Sequence, residues 1–233
     1  MAAVLLMLAA GGEARATDRL SKYDSKEYSA AFRAAARKKW AAALRHAKRP
    51  KDALPEKAIL WLYYQSPRNK ASFTEITTFI EANPNWPSLS TLRKQAEQKI
   101  DGKTGRSRLL DWFKSNPPIS ANGLLHYVDA LVKSGQREQA KRVLRRGWID
   151  LDMTAREEKN LRRLYRKWLT AQDNLDRLER LLWAGRTSPA TRQARRVSKD
   201  YRLLAEARIL LRRRKGGVDR AIARVPAYLK SHP

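Results

Sequence analysis

The sequence contains no cysteine, and this absence excludes disulfide bridges, zinc fingers and thiol nucleophiles. Acidic residues are also scarce, with 23 Asp and Glu against 50 Lys and Arg, which leaves a formal net charge of +27. A chain this basic is expected to bind a negatively charged partner, such as nucleic acid, an anionic membrane surface or another acidic polymer. Its apolar residues, 42% of the total, are enough to form a sizeable core.

Residues that could carry catalysis or bind a metal are few and isolated. The three histidines lie far apart in the sequence, at His46, His126 and His232. None has an acidic or hydroxyl partner in a repeating pattern, so we predict no metal, no cofactor and no catalytic residue. Glu157 and Glu158 follow Thr154 with the spacing of a helix capping box, which favours a structural role. Gly216–Gly217 lacks the context of a phosphate loop and predicts a helix break.

Hydrophobic periodicity predicts an all-α fold. Apolar residues recur at steps of three and four, as at Leu124, Leu125, Val128, Leu131 and Val132, and no segment alternates at period two. Proline and glycine then predict where the helices begin and end. Pro55, Pro87 and Pro189 are expected at first helical positions, with Ser188 as an N-cap, and helix C-termini are expected at Gly135, Gly185 and Gly216. The helices should therefore be separate and mostly short.

A weak internal repeat predicts how these helices are arranged. Leu175, Leu178, Leu182 and Trp183 follow Ala140, Val143, Gly147 and Trp148 at a constant offset of about 35 residues. A period of this size is typical of antiparallel helix pairs that stack into a superhelical solenoid, as in tetratricopeptide-like repeats. The alternative is a non-repeating helical bundle, which would usually have fewer and longer helices.

Two stretches of the chain carry a resemblance to a known family. The first is the turn Asn83–Pro87 with the apolar stripe Leu89, Leu92, Ala96 and Ile100, in which we expect Trp86 to be a packing residue. The second is the ordered series Trp112–Pro118, Gly123–Leu131, Gly135–Ala140 and Arg145–Trp148. Together they resemble the superhelical N-terminal region of soluble lytic murein transglycosylases, over about residues 28–225.

The resemblance implies a role in peptidoglycan turnover without catalysis by this segment. In that family a lysozyme-like C-terminal domain cleaves the glycan strand with one glutamate, which stands in a Glu-Ser pair. This chain contains no Glu-Ser dipeptide, so no catalytic residue is carried over. We expect a domain truncated at its C-terminal end, inactive alone, that would contact such a catalytic domain and bind peptidoglycan.

The N-terminus predicts export. Residues 1–10 are an uninterrupted apolar run, followed by Gly11–Gly12 and by Ala14–Arg15–Ala16, which fits a signal-peptidase site although a basic n-region is missing. The run is shorter than the roughly 20 residues of a membrane span. We expect a signal peptide over residues 1–16, a helical domain over 17–233 and a periplasmic location, which would exclude nucleic acid as the partner. An apolar helix that docks on the body is the alternative.

Basic clusters along the chain are candidates for the binding surface. The cluster that we single out is Arg142, Arg145 and Arg146, which would meet peptide-stem carboxylates and glycan; the alternative is an ordinary solvated helix face. Tryptophans could stack on sugar rings where exposed, but at helical spacing they more often pack in cores. Two other functions stay open: a periplasmic scaffold with an apolar groove for a protein partner, and a cytoplasmic nucleic-acid-binding protein.

Overall fold

The chain is all-α in the computed structural model, which describes residues 20–50 and 54–231. Within these ranges it forms thirteen α-helices, two 3₁₀ turns and no strand, as the sequence predicts. The helices are α1 (Lys22–Ala36), α2 (Trp40–Ala47), α3 (Leu54–Gln65), α4 (Phe73–Ala82), α5 (Leu89–Gln98), α6 (Arg106–Ser115), α7 (Ala121–Lys133), α8 (Arg137–Asp150), α9 (Ala155–Tyr165), α10 (Ala171–Trp183), α11 (Thr187–Ala194), α12 (Lys199–Arg212) and α13 (Val218–Ala223). The predicted signal peptide, residues 1–16, lies outside the described residues. No helix in the described ranges is long and apolar enough to cross a membrane.

The helices form two compact units, residues 1–70 and residues 71–233. In the first unit α1, α2 and α3 pack around a small core rich in alanine. This core consists of Tyr28, Ala31, Ala35, Ala43, Ala47 and Ile59. Alanine side chains are short, so they let the axes of α1 and α2 approach closely. Trp40 packs against this core from the start of α2.

In the second unit the helices stack in antiparallel pairs. Helix α7 packs on α8, α8 packs on α10, and α10 packs on both α11 and α12. Each pair therefore buries its apolar face against the pair before and the pair after it, as stacked helical repeats do. This arrangement confirms the helix pairs that the 35-residue offset predicts, because α8 and α10 are the helices related by that offset.

Most helix ends follow the predicted signals. Thr154 accepts a hydrogen bond from the backbone N–H of Glu157, whose carboxylate accepts one from the N–H of Thr154, so the predicted capping box is confirmed. Gly135 and Gly185 follow α7 and α10 with φ of +76° and +68°, the left-handed conformation that glycine favours at a helix end. Gly216 is not such a residue. Helix α12 ends four residues earlier, and Gly216–Gly217 forms the break before α13.

The predicted proline positions are wrong by one or two residues. Pro55 is the second residue of α3, and Pro189 is the third of α11, whose N-cap is Arg186 rather than Ser188. Pro87 precedes α5, which begins at Leu89. The N–H groups of the whole first turn lack an intrahelical acceptor, so proline fits at several positions there, and its presence does not fix the first residue.

Candidate functional site

The tryptophans differ in exposure: Trp183 is exposed, and the others are buried or partly buried. Trp112 and Trp148 are fully buried. Trp86 lies between α4 and α5 with its ring centroid 6.1 Å from that of Phe79, which confirms its packing role. Trp183, by contrast, has 63% of its surface exposed. An exposed indole of this kind can contact a ligand with most of one face.

Trp183 lies at the edge of a groove of about 310 Å³ between the end of α10 and the last turns of α12. The groove is lined by Leu181, Leu182, Trp183, Arg208, Ile209, Leu211 and Arg212, with Gly185 and Thr187 at the turn. The volume lies near the lower limit for small-ligand sites, and the lining combines an aromatic ring with two guanidinium groups. Leu211 adds a second exposed apolar side chain. The groove can therefore accept a ligand that offers both an apolar face and a negative charge.

The two arginines of the groove differ in their partners. The guanidinium of Arg208 lies 5.3 Å from the centroid of the Trp183 ring, and its Nη1 donates to Oε2 of Glu179 at 2.7 Å. Glu179 thus compensates the charge of Arg208 and fixes it against the indole. Arg212 forms no ion pair within residues 20–50 and 54–231. Its charge is available to an anionic group of a ligand.

Gly185 makes room for Arg212 at the groove. A Cβ atom at this position would clash with the guanidinium of Arg212 where it lies now. Gly185 also has φ of +68°, which disfavours other residues. The same glycine therefore ends α10 just after Trp183 and lets the guanidinium of Arg212 lie over the turn.

The groove is a variant of a contact that occurs one repeat earlier. Trp148 on α8 stacks with Arg177 of α10, whose guanidinium lies 4.4 Å from its ring centroid, and Trp183 on α10 meets Arg208 of α12 in the same way. Trp148 is completely buried, whereas Trp183 is mostly exposed. The two Trp–Arg contacts are similar in kind, although the 35-residue offset relates Arg177 to Arg212 rather than to Arg208, and exposure differs between the two tryptophans.

The predicted surface of Arg142, Arg145 and Arg146 lies on α8, and two of its three members already have carboxylate partners. Nε of Arg145 donates to both carboxylate oxygens of Asp173, at 2.9 and 2.8 Å, and Arg146 pairs with Asp150. Arg142 is exposed. The structure brings the three together on one helix, but Arg145 acts in packing between α8 and α10. Their contact with a glycan stays a prediction.

Asp173 shows why Arg145 is structural. The Asp173 side chain is 4% exposed and also completes a capping box with Thr170. Burial raises the pKa of Asp173, but the hydrogen bonds from Arg145 and Thr170 outweigh burial, so the pKa lies below its usual value. Replacing Arg145 would leave this buried carboxylate without its cation.

The two described histidines have different surroundings. Nδ1 of His46 lies 2.8 Å from Oε2 of Glu27, His126 is half-buried with its pKa lowered by burial, and His232 lies outside the described residues. No group of three His, Cys, Asp or Glu residues in the described part of the chain could hold a metal ion.

Comparisons with known proteins support the fold. No protein-family model matches the chain, and no curated protein matches it. The crystal structure of the 70 kDa soluble lytic transglycosylase from Escherichia coli is similar, with a TM-score of 0.54 and 21% sequence identity. The similarity covers 84% of this chain and 32% of that one, so the chain spans about a third of that protein's length. The chain therefore shares the fold of a helical region of a lytic transglycosylase.

Proposed function

We propose that this chain is an exported helical domain of a lytic murein transglycosylase that binds a peptidoglycan glycan strand. Cleavage of the strand would be carried out by a lysozyme-like domain outside the residues described here. The observation that carries the proposal is the open groove of Trp183, Arg208 and Arg212 on a fold similar to that of a soluble lytic transglycosylase.

The chemistry of the groove suits peptidoglycan. The exposed face of Trp183 can stack on the apolar face of a sugar ring. Such stacking both holds the sugar and orients it. The uncompensated guanidinium of Arg212 can pair with a carboxylate of a peptide stem. Nearby Arg213, Arg214 and Lys215 are exposed and add to the positive potential that attracts such a polymer.

Sedimentation with purified peptidoglycan sacculi tests the proposal. We expect the full chain to sediment with sacculi, and we expect Trp183→Ala combined with Arg212→Gln to weaken this binding by about tenfold, the effect of a typical central contact residue. Tyr23→Ala is the matched control, because Tyr23 is an exposed aromatic residue of α1 in the other unit. Equal binding by the double variant and the control would contradict a role for the groove.

The absence of catalysis by this segment is tested separately. Purified protein incubated with sacculi is expected to release no 1,6-anhydro muropeptides, because no residue of the family's catalytic Glu-Ser pair is present. Release of such products would show that a glutamate to which we assign a structural role is catalytic. Binding to the sacculi that depends neither on salt nor on Trp183 and Arg212 would instead favour the scaffold with an apolar groove.

A further inference from the structure

A cluster of arginines surrounds one buried glutamate in the second unit. Oε1 of Glu158 lies 3.2 Å from Nη2 of Arg177 and 3.1 Å from Nη2 of Arg192, and its Oε2 lies 4.0 Å from Nη2 of Arg196. The Glu158 side chain is 2% exposed and that of Arg177 is completely buried. One carboxylate is therefore the counter-ion of three arginines, which lie on α10, on α11 and in the turn after α11.

Two more arginines belong to the same cluster. Arg162 lies one turn after Glu158 on α9, and Arg195 precedes Arg196 in the chain. Burial lowers the pKa of Arg196, and the charges of Arg162, Arg192 and Arg195 lower it further, so each of these three cations acts on the charge of Arg196. The Glu158 cluster thus comprises one carboxylate and five guanidinium groups, a surplus of four positive charges.

The neighbouring acidic residues do not compensate this surplus. Glu157 is held in the capping box with Thr154. Asp152 pairs with Arg180 and Arg186, and Asp173 pairs with Arg145, as described above. Each nearby carboxylate thus has its own partner.

The cluster has an inner and an outer part. Arg177 is the inner cation, and besides Glu158 it donates to the carbonyl oxygens of Trp148 and Leu151, so its donors face the interior. The outer guanidinium groups reach the surface: Arg192 is 33% and Arg196 is 19% exposed. Nε of Arg196 is buried and has no hydrogen-bond acceptor among the described residues. The Nη1 of Arg196 donates to the carbonyl oxygen of Arg192, and its Nη2 faces the carboxylate of Glu158.

We propose that the outer arginines of the Glu158 cluster, Arg162, Arg192, Arg195 and Arg196, bind a dianionic phosphate group. Guanidinium groups match the oxygens of phosphate in fork geometry, and several such groups can share one tetrahedral anion. A dianion would also compensate half of the surplus charge, which a single carboxylate could not. This site is separate from the Trp183 groove and does not depend on the proposed function.

Thermal unfolding of the full chain tests the site. Inorganic phosphate and glycerol phosphate are added at an ionic strength that is matched with sodium chloride, so that general screening is constant. If the dissociation constant is near 1 mM, 10 mM of the ligand should raise the Tm by about 3–6 °C, and the Tm should then rise with the logarithm of the ligand concentration. Stabilisation by both probes would assign the site to the phosphate group itself, and stabilisation by glycerol phosphate alone would assign it to a phosphate ester.

The variant Arg162→Gln with Arg195→Gln removes two outer cations and leaves the pairs of Glu158 with Arg177 and Arg192 intact. It should still fold and should lose most of the phosphate-dependent rise. The matched control is Arg33→Gln with Arg37→Gln, which removes the same charge from two exposed positions at the end of α1 in the other unit, Arg33 within the helix and Arg37 directly after it. The proposal is overturned if phosphate stabilises the wild type no more than chloride does. It is equally overturned if the cluster variant and the control respond alike to phosphate.

Discussion

Glu158 provides the most demanding test of how this fold is held together. Replacing it with Gln preserves the shape of the side chain but removes the charge that three arginines share. The amide has one oxygen to accept hydrogen bonds, and its NH₂ group would face guanidinium donors. Arg177, which is completely buried, would then lie in the interior without a counter-charge.

The expected loss of stability follows from this burial. Removing one partner of a buried ion pair usually costs about 3–5 kcal/mol, because the other charge stays desolvated. Arg192 and Arg196 are partly exposed, so water can solvate them and they add little. Since about 1 kcal/mol changes the Tm of a domain of this size by roughly 2–4 °C, Glu158→Gln should lower the Tm by about 6–20 °C.

The neighbouring glutamate is a matched control in the same helix turn. Glu157 is only partly buried and needs only an acceptor for the N–H of Thr154, which Gln also provides, so Glu157→Gln should cost about 0.3–1 kcal/mol. Urea denaturation followed by circular dichroism measures both variants, and an unchanged m-value would show that the native state keeps its compactness. Similar losses in the two variants would refute the assignment of Glu158 as the counter-ion of a buried arginine.

Three further predictions concern other residues. Burial raises the pKa of Glu97 against the hydrogen bonds of Ser120 and Ile119. Stability from its protonated form is therefore present below pH 4.5 and lost as the pH rises through the raised pKa. Glu97→Gln should therefore reduce the loss of stability that urea denaturation measures as the pH rises above 4.5. Arg145→Gln should lower the Tm clearly more than Arg142→Gln, because only Arg145 pairs with buried Asp173; equal Tm values would contradict this. Mass spectrometry of the exported protein should find Thr17 as its first residue, and intact Met1 in the cytoplasm would contradict export.

Regular features of the fold could be predicted because they depend on local patterns. The period of apolar residues predicts helices, and the recurrence of Trp148 as Trp183 predicts stacked pairs, which α8 and α10 form. Helix starts were predicted less well, because Pro189 fits the first turn of α11 without marking its first residue. Because several positions of the first turn tolerate proline, its place in the sequence does not indicate the first residue of the helix.

The candidate sites could be predicted only in part, because they depend on packing between distant segments. Glu158 looks like a first-turn helix residue, and nothing near it in sequence indicates that Arg177 and Arg192 meet it from α10 and α11. Likewise, the repeat places Trp148 and Trp183 at equivalent positions, yet one is buried and the other is exposed. The basic cluster on α8 was predicted as a surface, and its three arginines are exposed, but the sequence does not indicate that Arg145 also pairs with buried Asp173.

The scarcity of acidic residues explains how these arginines divide into two classes. Carboxylates such as Asp173, Glu158 and Glu179 pair with arginines across stacked helices, so those arginines contribute to packing. The remaining cations, including Arg212 and its exposed neighbours, are free to attract a polyanion. Attraction between exposed charges fades as the Debye length falls from about 10 Å at 0.1 M salt to about 3 Å at 1 M, whereas stacking on Trp183 does not depend on salt in this way. Binding to sacculi should therefore weaken as the salt concentration rises and then level off. Trp183→Ala should remove the binding that remains at high salt.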